Sequence, residues 1–100
     1  MIDFGRIVGF DWDDGNLHKS IQKHAVSPLE AEQVFLDPRL LILTDEEHSE
    51  DEKRYHGYGQ SAAGRLLLVS FTLRRNETVI RIISARNMSR RERRRYAEET

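Results

Sequence analysis

Arg65-Leu66-Leu67-Leu68-Val69-Ser70-Phe71-Thr72-Leu73-Arg74, then Arg75-Asn76-Glu77, then Thr78-Val79-Ile80-Arg81-Ile82-Ile83-Ser84-Ala85-Arg86 reads as two β-strands joined by a short hairpin turn. Leu67, Val69, Phe71 and Leu73 alternate onto one face of the first strand, while Leu66 and Leu68 fall on the other. Apolar residues on both sides imply that this strand is at least partly covered on both faces. Upstream, Lys53 to Gln60 forms a third strand, separated from Arg65 by Ser61-Ala62-Ala63-Gly64, so the three strands make an antiparallel meander. Arg39 to Thr44 adds an apolar strand, and the acidic run Asp45 to Glu52 reads as a mobile connection.

Toward the N-terminus, Ile7-Val8-Gly9-Phe10 predicts a short strand that runs into a helix start at Asp11-Trp12-Asp13-Asp14. Leu17, Ile21 and His24 share one face of that helix, with Trp12 as its core anchor. Ser27-Pro28-Leu29-Glu30 carries an N-cap Ser, Pro at the first helical position and Glu at the third, ahead of Ala31, Val34 and Phe35. Asp37-Pro38 ends this second helix. Ser89-Arg90-Arg91-Glu92 is another capping box and opens an arginine-rich final helix. The expected architecture is one α+β domain over residues 1–100. Two N-terminal helices pack on a mainly antiparallel four- to five-stranded sheet, followed by the basic C-terminal helix.

One hundred residues suffice for one core. The absence of cysteine excludes a disulfide framework and thiolate metal sites. The longest apolar runs, Leu40 to Leu43 and Leu66 to Val69, are far too short to span a membrane, and Met1 to Arg6 has no apolar leader segment. A cytoplasmic protein with no membrane partner is expected.

The net charge of −1 conceals a split along the chain. Residues 1–73 hold 7 Lys and Arg against 13 Asp and Glu, a net −6; residues 74–100 hold 9 Arg against 4 Glu, a net +5. All the cations of this second stretch are arginine, whose planar fork grips phosphate with two parallel hydrogen bonds, so a polyanionic partner is expected. A merely solvated helix face remains the alternative for Arg90 to Arg95. Arg81 differs, because it sits between Val79-Ile80 and Ile82-Ile83, where a guanidinium needs a carboxylate or a groove to face. Arg86 has the opposite strand parity, so the two reach one site only if the strand twists, bulges or ends between them.

Ribonuclease chemistry without a metal needs a base for the 2′-hydroxyl, an acid for the leaving oxygen and cations for the phosphorane. Glu52, His48 and His56 supply candidate bases and acids; Arg54, Arg65, Arg81 and Arg86 supply candidate cations. Residues 45–52 have carboxylates but neither the spacing nor the turn glycine of a calcium loop, so no metal site is expected. Tyr96 suits either stacking on a base or packing the last helix onto the sheet.

The ordered set Phe10-Asp11-Trp12-Asp13, Lys23-His24-Ala25-Val26-Ser27, Glu30-Ala31, Val34-Phe35, Asp37-Pro38, His48-Ser49-Glu50-Asp51-Glu52, Arg54, Gly59, Gly64-Arg65, Arg81-Ile82-Ile83-Ser84-Ala85-Arg86 and Arg91-Glu92-Arg93 resembles the BrnT family of toxins, from about residue 8 to 98. The resemblance implies a type II toxin with a RelE-like fold: a small ribonuclease that cleaves RNA, inhibits translation and needs no cofactor. It further implies a BrnA-like antitoxin whose ribbon-helix-helix part binds operator DNA, so that DNA is met only through the antitoxin. On this reading the catalytic residues are Glu52, Arg54, Arg81 and Arg86. Lys23, His24, Arg65, Arg90, Arg91 and Tyr96 contact RNA. The chain departs from the resemblance in its first helix, where relatives carry Lys and Asn at the positions of Asn16 and Ser20, and Gly at that of Ala25. Two rivals from other classes remain: a nucleic-acid-binding module without chemistry, and a docking protein whose arginines meet an acidic partner helix.

Overall fold

Strand alternation and two well-formed hairpins dominate the computed structural model, which describes residues 2–12, 14–49 and 51–100, without the side chains of Asp14, Asn16, Leu17, His18 and Ser20. Asp13, within the expected helix start at Asp11-Trp12-Asp13-Asp14, and the side chain of Leu17 on the expected inward face therefore lie outside what the structure describes. In chain order the elements are β1 (Gly9–Trp12), α1 (Asp14–His24), α2 (Pro28–Gln33), β2 (Leu41–Thr44), β3 (Arg54–Gln60), β4 (Leu66–Arg74), β5 (Val79–Asn87) and α3 (Arg90–Glu99). Short 3-10 turns occupy Phe4–Arg6, Val34–Leu36 and Glu46–His48.

The strands form one sheet in the order β1-β5-β4-β3-β2. The meander β2 to β5 is antiparallel as its hairpins require, but β1 pairs parallel to β5, with Asp11 opposite Arg81 and Trp12 opposite Ile82. The sheet is thus five-stranded and mixed, which corrects the mainly antiparallel expectation at that edge. The physical reason lies in the connection, since everything from α1 to β4 separates β1 from β5 and gives the chain room for a parallel return. The expectation of two N-terminal helices is corrected as well. The expected strand before α1 runs over Gly9–Trp12, so Asp11 and Trp12 belong to it and not to the helix start, and α2 holds only six residues before it tightens into the 3-10 turn at Val34–Leu36.

Ser27 Oγ accepts from Glu30 N at 3.2 Å, as a capping residue should. The Glu30 carboxylate is instead engaged by Arg65 Nη1 and Ser61 Oγ, at 2.7 and 3.0 Å. At α3 both halves of the Ser89–Glu92 capping box are present.

Two apolar clusters flank the sheet. On one face Val26, Ala31 and Val34 pack with Leu67, Val69, Phe71, Ile80, Ile82 and Ala85, and Trp12 joins from the edge. Trp12 Nε1 also donates to Glu32 Oε2 at 3.3 Å, so the expected core anchor is tied to α2 as well. On the other face Tyr58, Leu68, Met88 and Tyr96 form a smaller cluster beneath α3.

Two backbone positions limit stability in opposite ways. A Cβ at Gly59 would lie 2.8 Å from Val34 Cγ1 and 3.1 Å from Val34 O, so β3 meets the Val34 turn at a distance only glycine allows. Gly59→Ala is expected to lower unfolding free energy by about 1–3 kcal/mol, the usual range for an overpacked core. Ala25, just past the end of α1, has φ +52°, the left-handed cap conformation that favours glycine. Ala25→Gly is expected to raise stability by about 1 kcal/mol, relieving the steric penalty of a left-handed alanine. Urea unfolding of the two variants beside the parent chain checks both signs.

Candidate active site

The sheet face opposite α1 and α2 is where the charged side chains converge, because the cross-strand register stacks them in rows. One row runs Asp11, Arg81, Thr72, Arg54 across β1, β5, β4 and β3. The next runs Ser84, Ser70, His56, Leu43, and the third Arg86, Leu68, Tyr58, Leu41. Met88 and Tyr96 cover the third row. The first two rows are left as the polar half of this face.

Arg81 and Arg86 share that face because β5 carries one extra residue. Ser70 stands opposite Ser84, yet its neighbour Phe71 stands opposite Ile82, so Ile83 has no counterpart on β4. This bulge reverses the strand parity between the two arginines. They are nevertheless apart, since Arg81 pairs with Thr72 and Arg86 with Leu68, four residues along β4 and so about 13 Å at the usual strand rise. Arg81 Nη1 donates to Asp11 Oδ2 at 2.7 Å, and with Asp11 half exposed the pair aims the guanidinium rather than burying it. Arg86 is gripped at both nitrogens by Glu92, at 2.7 and 2.9 Å. That double hydrogen bond holds the Glu92 carboxyl at about 2 against the opposing pull of burial, and the Ser89 backbone N–H adds to it. The same contact raises Arg86, again against burial.

An open cleft of about 360 Å³ lies at the β3 end of the first row, lined by Glu47, His48, Asp51, Glu52, Arg54 and Thr72. Arg54 Nε and Thr72 Oγ1 are buried and have no hydrogen-bond partner among the described residues. Two donors with unused capacity, side by side in register, are the kind of exception that marks a functional site. Glu52 lines the same cleft, but Arg74 holds both its oxygens, at 2.7 and 3.0 Å. The start of the acidic connection, expected to be mobile, forms a 3-10 turn at Glu46–His48 that is tied to β3 by Asp45 N donating to Arg54 O at 2.8 Å.

The remaining sequence candidates are dispersed. The Arg65 guanidinium donates to His24 O, Ala25 O, Glu30 Oε1 and Asn87 Oδ1, so it clamps α1, α2 and β5 together. Lys23 and His24 sit in the last turn of α1, the helix that packs on β5. Tyr96 is 3% exposed, with its hydroxyl donating to Asp37, and therefore takes the packing alternative. Arg90 and Arg91 are exposed in the first turn of α3, while Glu98 and Glu99 end it. That is the reverse of the order the helix dipole favours, and it strengthens the positive potential at the end nearest Arg86.

A family model described as the ribonuclease toxin, BrnT, of a type II toxin-antitoxin system matches residues 12–92. The fold is similar to the 1.1 Å crystal structure of the Brucella abortus ribonuclease toxin BrnT, with a TM-score of 0.61 at 18% identity, covering 83% of this chain and 99% of that one. No curated protein matches significantly.

The Arg86–Glu92 contact predicts an acid response. Glu92 falls from an ordinary 4.5 to about 2 on folding, so its contribution is complete above about 4.5 and is lost as pH falls toward 2. Urea midpoints measured from pH 6 to pH 2 are expected to drop through that window, and Glu92→Gln is expected to be less stable at pH 6 with a shallower acid decline.

Proposed function

This chain belongs to the BrnT family of ribonuclease toxins of type II toxin–antitoxin systems, and we propose that it is a metal-independent endoribonuclease whose cutting of RNA stops translation. The observation that carries this reading is the row Arg54–Thr72–Arg81 beside the cleft, with two buried donors, Arg54 Nε and Thr72 Oγ1, lacking partners among the described residues. A phosphate at the mouth of the cleft meets the Arg54 guanidinium from β3, and Arg81, two strands away on β5 and outside the cleft lining, approaches it across Thr72. Fixed cations of this kind act on the charge that develops at phosphorus, where they are worth more than in the ground state.

Arg86 takes a flanking phosphate, in keeping with its distance from Arg81 and its Glu92 tether. Arg90 and Arg91 extend the positive surface from there, and Glu52 with Arg74 forms one rim of the cleft. Membership of a type II system supplies an antitoxin as partner and RNA as target. We take the antitoxin to be BrnA-like, with a ribbon-helix-helix part that carries the operator contacts, and the site of action to be the cytoplasm.

Incubating the purified chain with RNA in excess EDTA tests this reading. Cleavage is expected to persist, and Arg54→Ala and Arg81→Ala are each expected to slow it by roughly 100-fold, the scale of one lost transition-state contact. Salt-sensitive retention of intact RNA by the parent chain would instead favour a binding module without chemistry.

A further inference from the structure

A connected line of side chains runs from the centre of the sheet to the cleft, and the arginines leave it unused. Ser70 on β4 faces its register partner His56 on β3, with Ser70 Oγ 2.9 Å from His56 Nδ1. His56 Nε2 lies 3.2 Å from Asp45 Oδ2. The same oxygen lies 2.9 Å from His48 Nδ1. Asp45 is buried at 8% exposure, whereas His48 is 57% exposed and lines the cleft with Arg54 and Thr72.

Hydrogen-bond chemistry fixes the direction of this line. An ionised carboxylate only accepts, so each imidazole nitrogen that faces Asp45 carries the hydrogen. In its neutral form His56 then accepts the Ser70 hydroxyl at Nδ1, and neutral His48 keeps Nε2 as its basic nitrogen. Burial alone would push the Asp45 carboxyl up, but the His48 hydrogen bond and the facing His56 bring it below the ordinary carboxylate range. The backbone closes the arrangement. Ser49 Oγ donates to Asp45 O at 2.5 Å, and Arg54 N donates to Ser49 Oγ at 3.0 Å, which pins the turn carrying His48 onto the start of β3.

We propose that His48 is the general base of the cleft, with Asp45 and His56 as positioning residues that fix its ring and turn Nε2 toward the substrate. This rests on the ribonuclease reading above. His48 Nε2 takes the proton of a 2′-hydroxyl, the freed O2′ forms a bond to phosphorus, and the P–O5′ bond breaks. The departing 5′ oxygen takes a proton from a water in the open cleft, the resulting hydroxide takes back the proton held on His48 Nε2, and a 2′,3′-cyclic phosphate and a 5′-hydroxyl remain. Glu52 is poorly suited to the task because Arg74 occupies both its oxygens.

The test uses the full chain with a short RNA oligonucleotide as substrate. His48→Ala, a change at an exposed ring, is expected to lower kcat by about 100-fold or more with KM unchanged, and added imidazole is expected to restore part of the rate. Nitrogen-15 spectra are expected to place the neutral His48 hydrogen on Nδ1 in the parent chain and to show mixed tautomers in Asp45→Asn. Full-rate cleavage by His48→Ala, with Arg54→Ala slowed by roughly 100-fold, would overturn this base while leaving the ribonuclease reading intact. A parent chain that cuts no RNA would overturn both, and a His48 hydrogen on Nε2 in the parent chain would overturn the positioning role of Asp45.

Discussion

One extra residue in β5 sets the character of the whole molecule. Ile80, Ile82 and Ala85 all lie in the same buried cluster, although a regular strand would send residues 82 and 85 to opposite faces. The bulge at Ile83 reconciles them. It also delivers Arg81, Ser84 and Arg86 to the other face together. Core packing and the alignment of cations are therefore one constraint, because the apolar side of β5 cannot be satisfied without placing the arginines as they are.

The rest of the site builds on that alignment. Parallel pairing sets Asp11 on β1 directly beside Arg81, so the carboxylate that orients the guanidinium comes from the edge strand. The β3–β4 register sets Arg54 beside Thr72 and His56 beside Ser70. Through His56, the sheet reaches Asp45 and the turn that carries His48. At the far end, Tyr96 and Met88 draw α3 over Tyr58 and Leu68, and the Arg86–Glu92 contact joins the helix cap to the sheet. One half of the face is thereby closed by apolar packing, and the other stays polar.

Much of this was legible in the residues. The meander strands were evident from two-residue periodicity and from turn residues between them, and the Ser89 capping box from its spacing. The edge strand was evident at Ile7 to Phe10, but its parallel pairing was not, because it is only four residues long at Gly9 to Trp12 and its partner lies some seventy positions away. Glu30 could be read as a capping residue, but not as the partner of Arg65, because that contact is made in tertiary structure alone. The sequence pointed to His48, His56 and Glu52 as interchangeable acids or bases. Only the folded chain separates them, with Asp45 behind the two imidazoles and Arg74 across Glu52. Asp45 itself drew no attention within a run of carboxylates, and burial is what distinguishes it. For Arg81 and Arg86, parity posed the right question, whose answer required the bulge.

The most direct measurement is a backbone amide chemical-shift titration of the intact protein with a 2′-O-methyl RNA oligonucleotide, which occupies the site but cannot be cut. The account predicts that the largest changes fall on Thr72, Arg81, Ser84, Arg54 and the turn bearing His48, with smaller ones at the start of α3. Changes centred on Lys23 and His24 of α1, with the Arg54–Thr72–Arg81 row undisturbed, would contradict it.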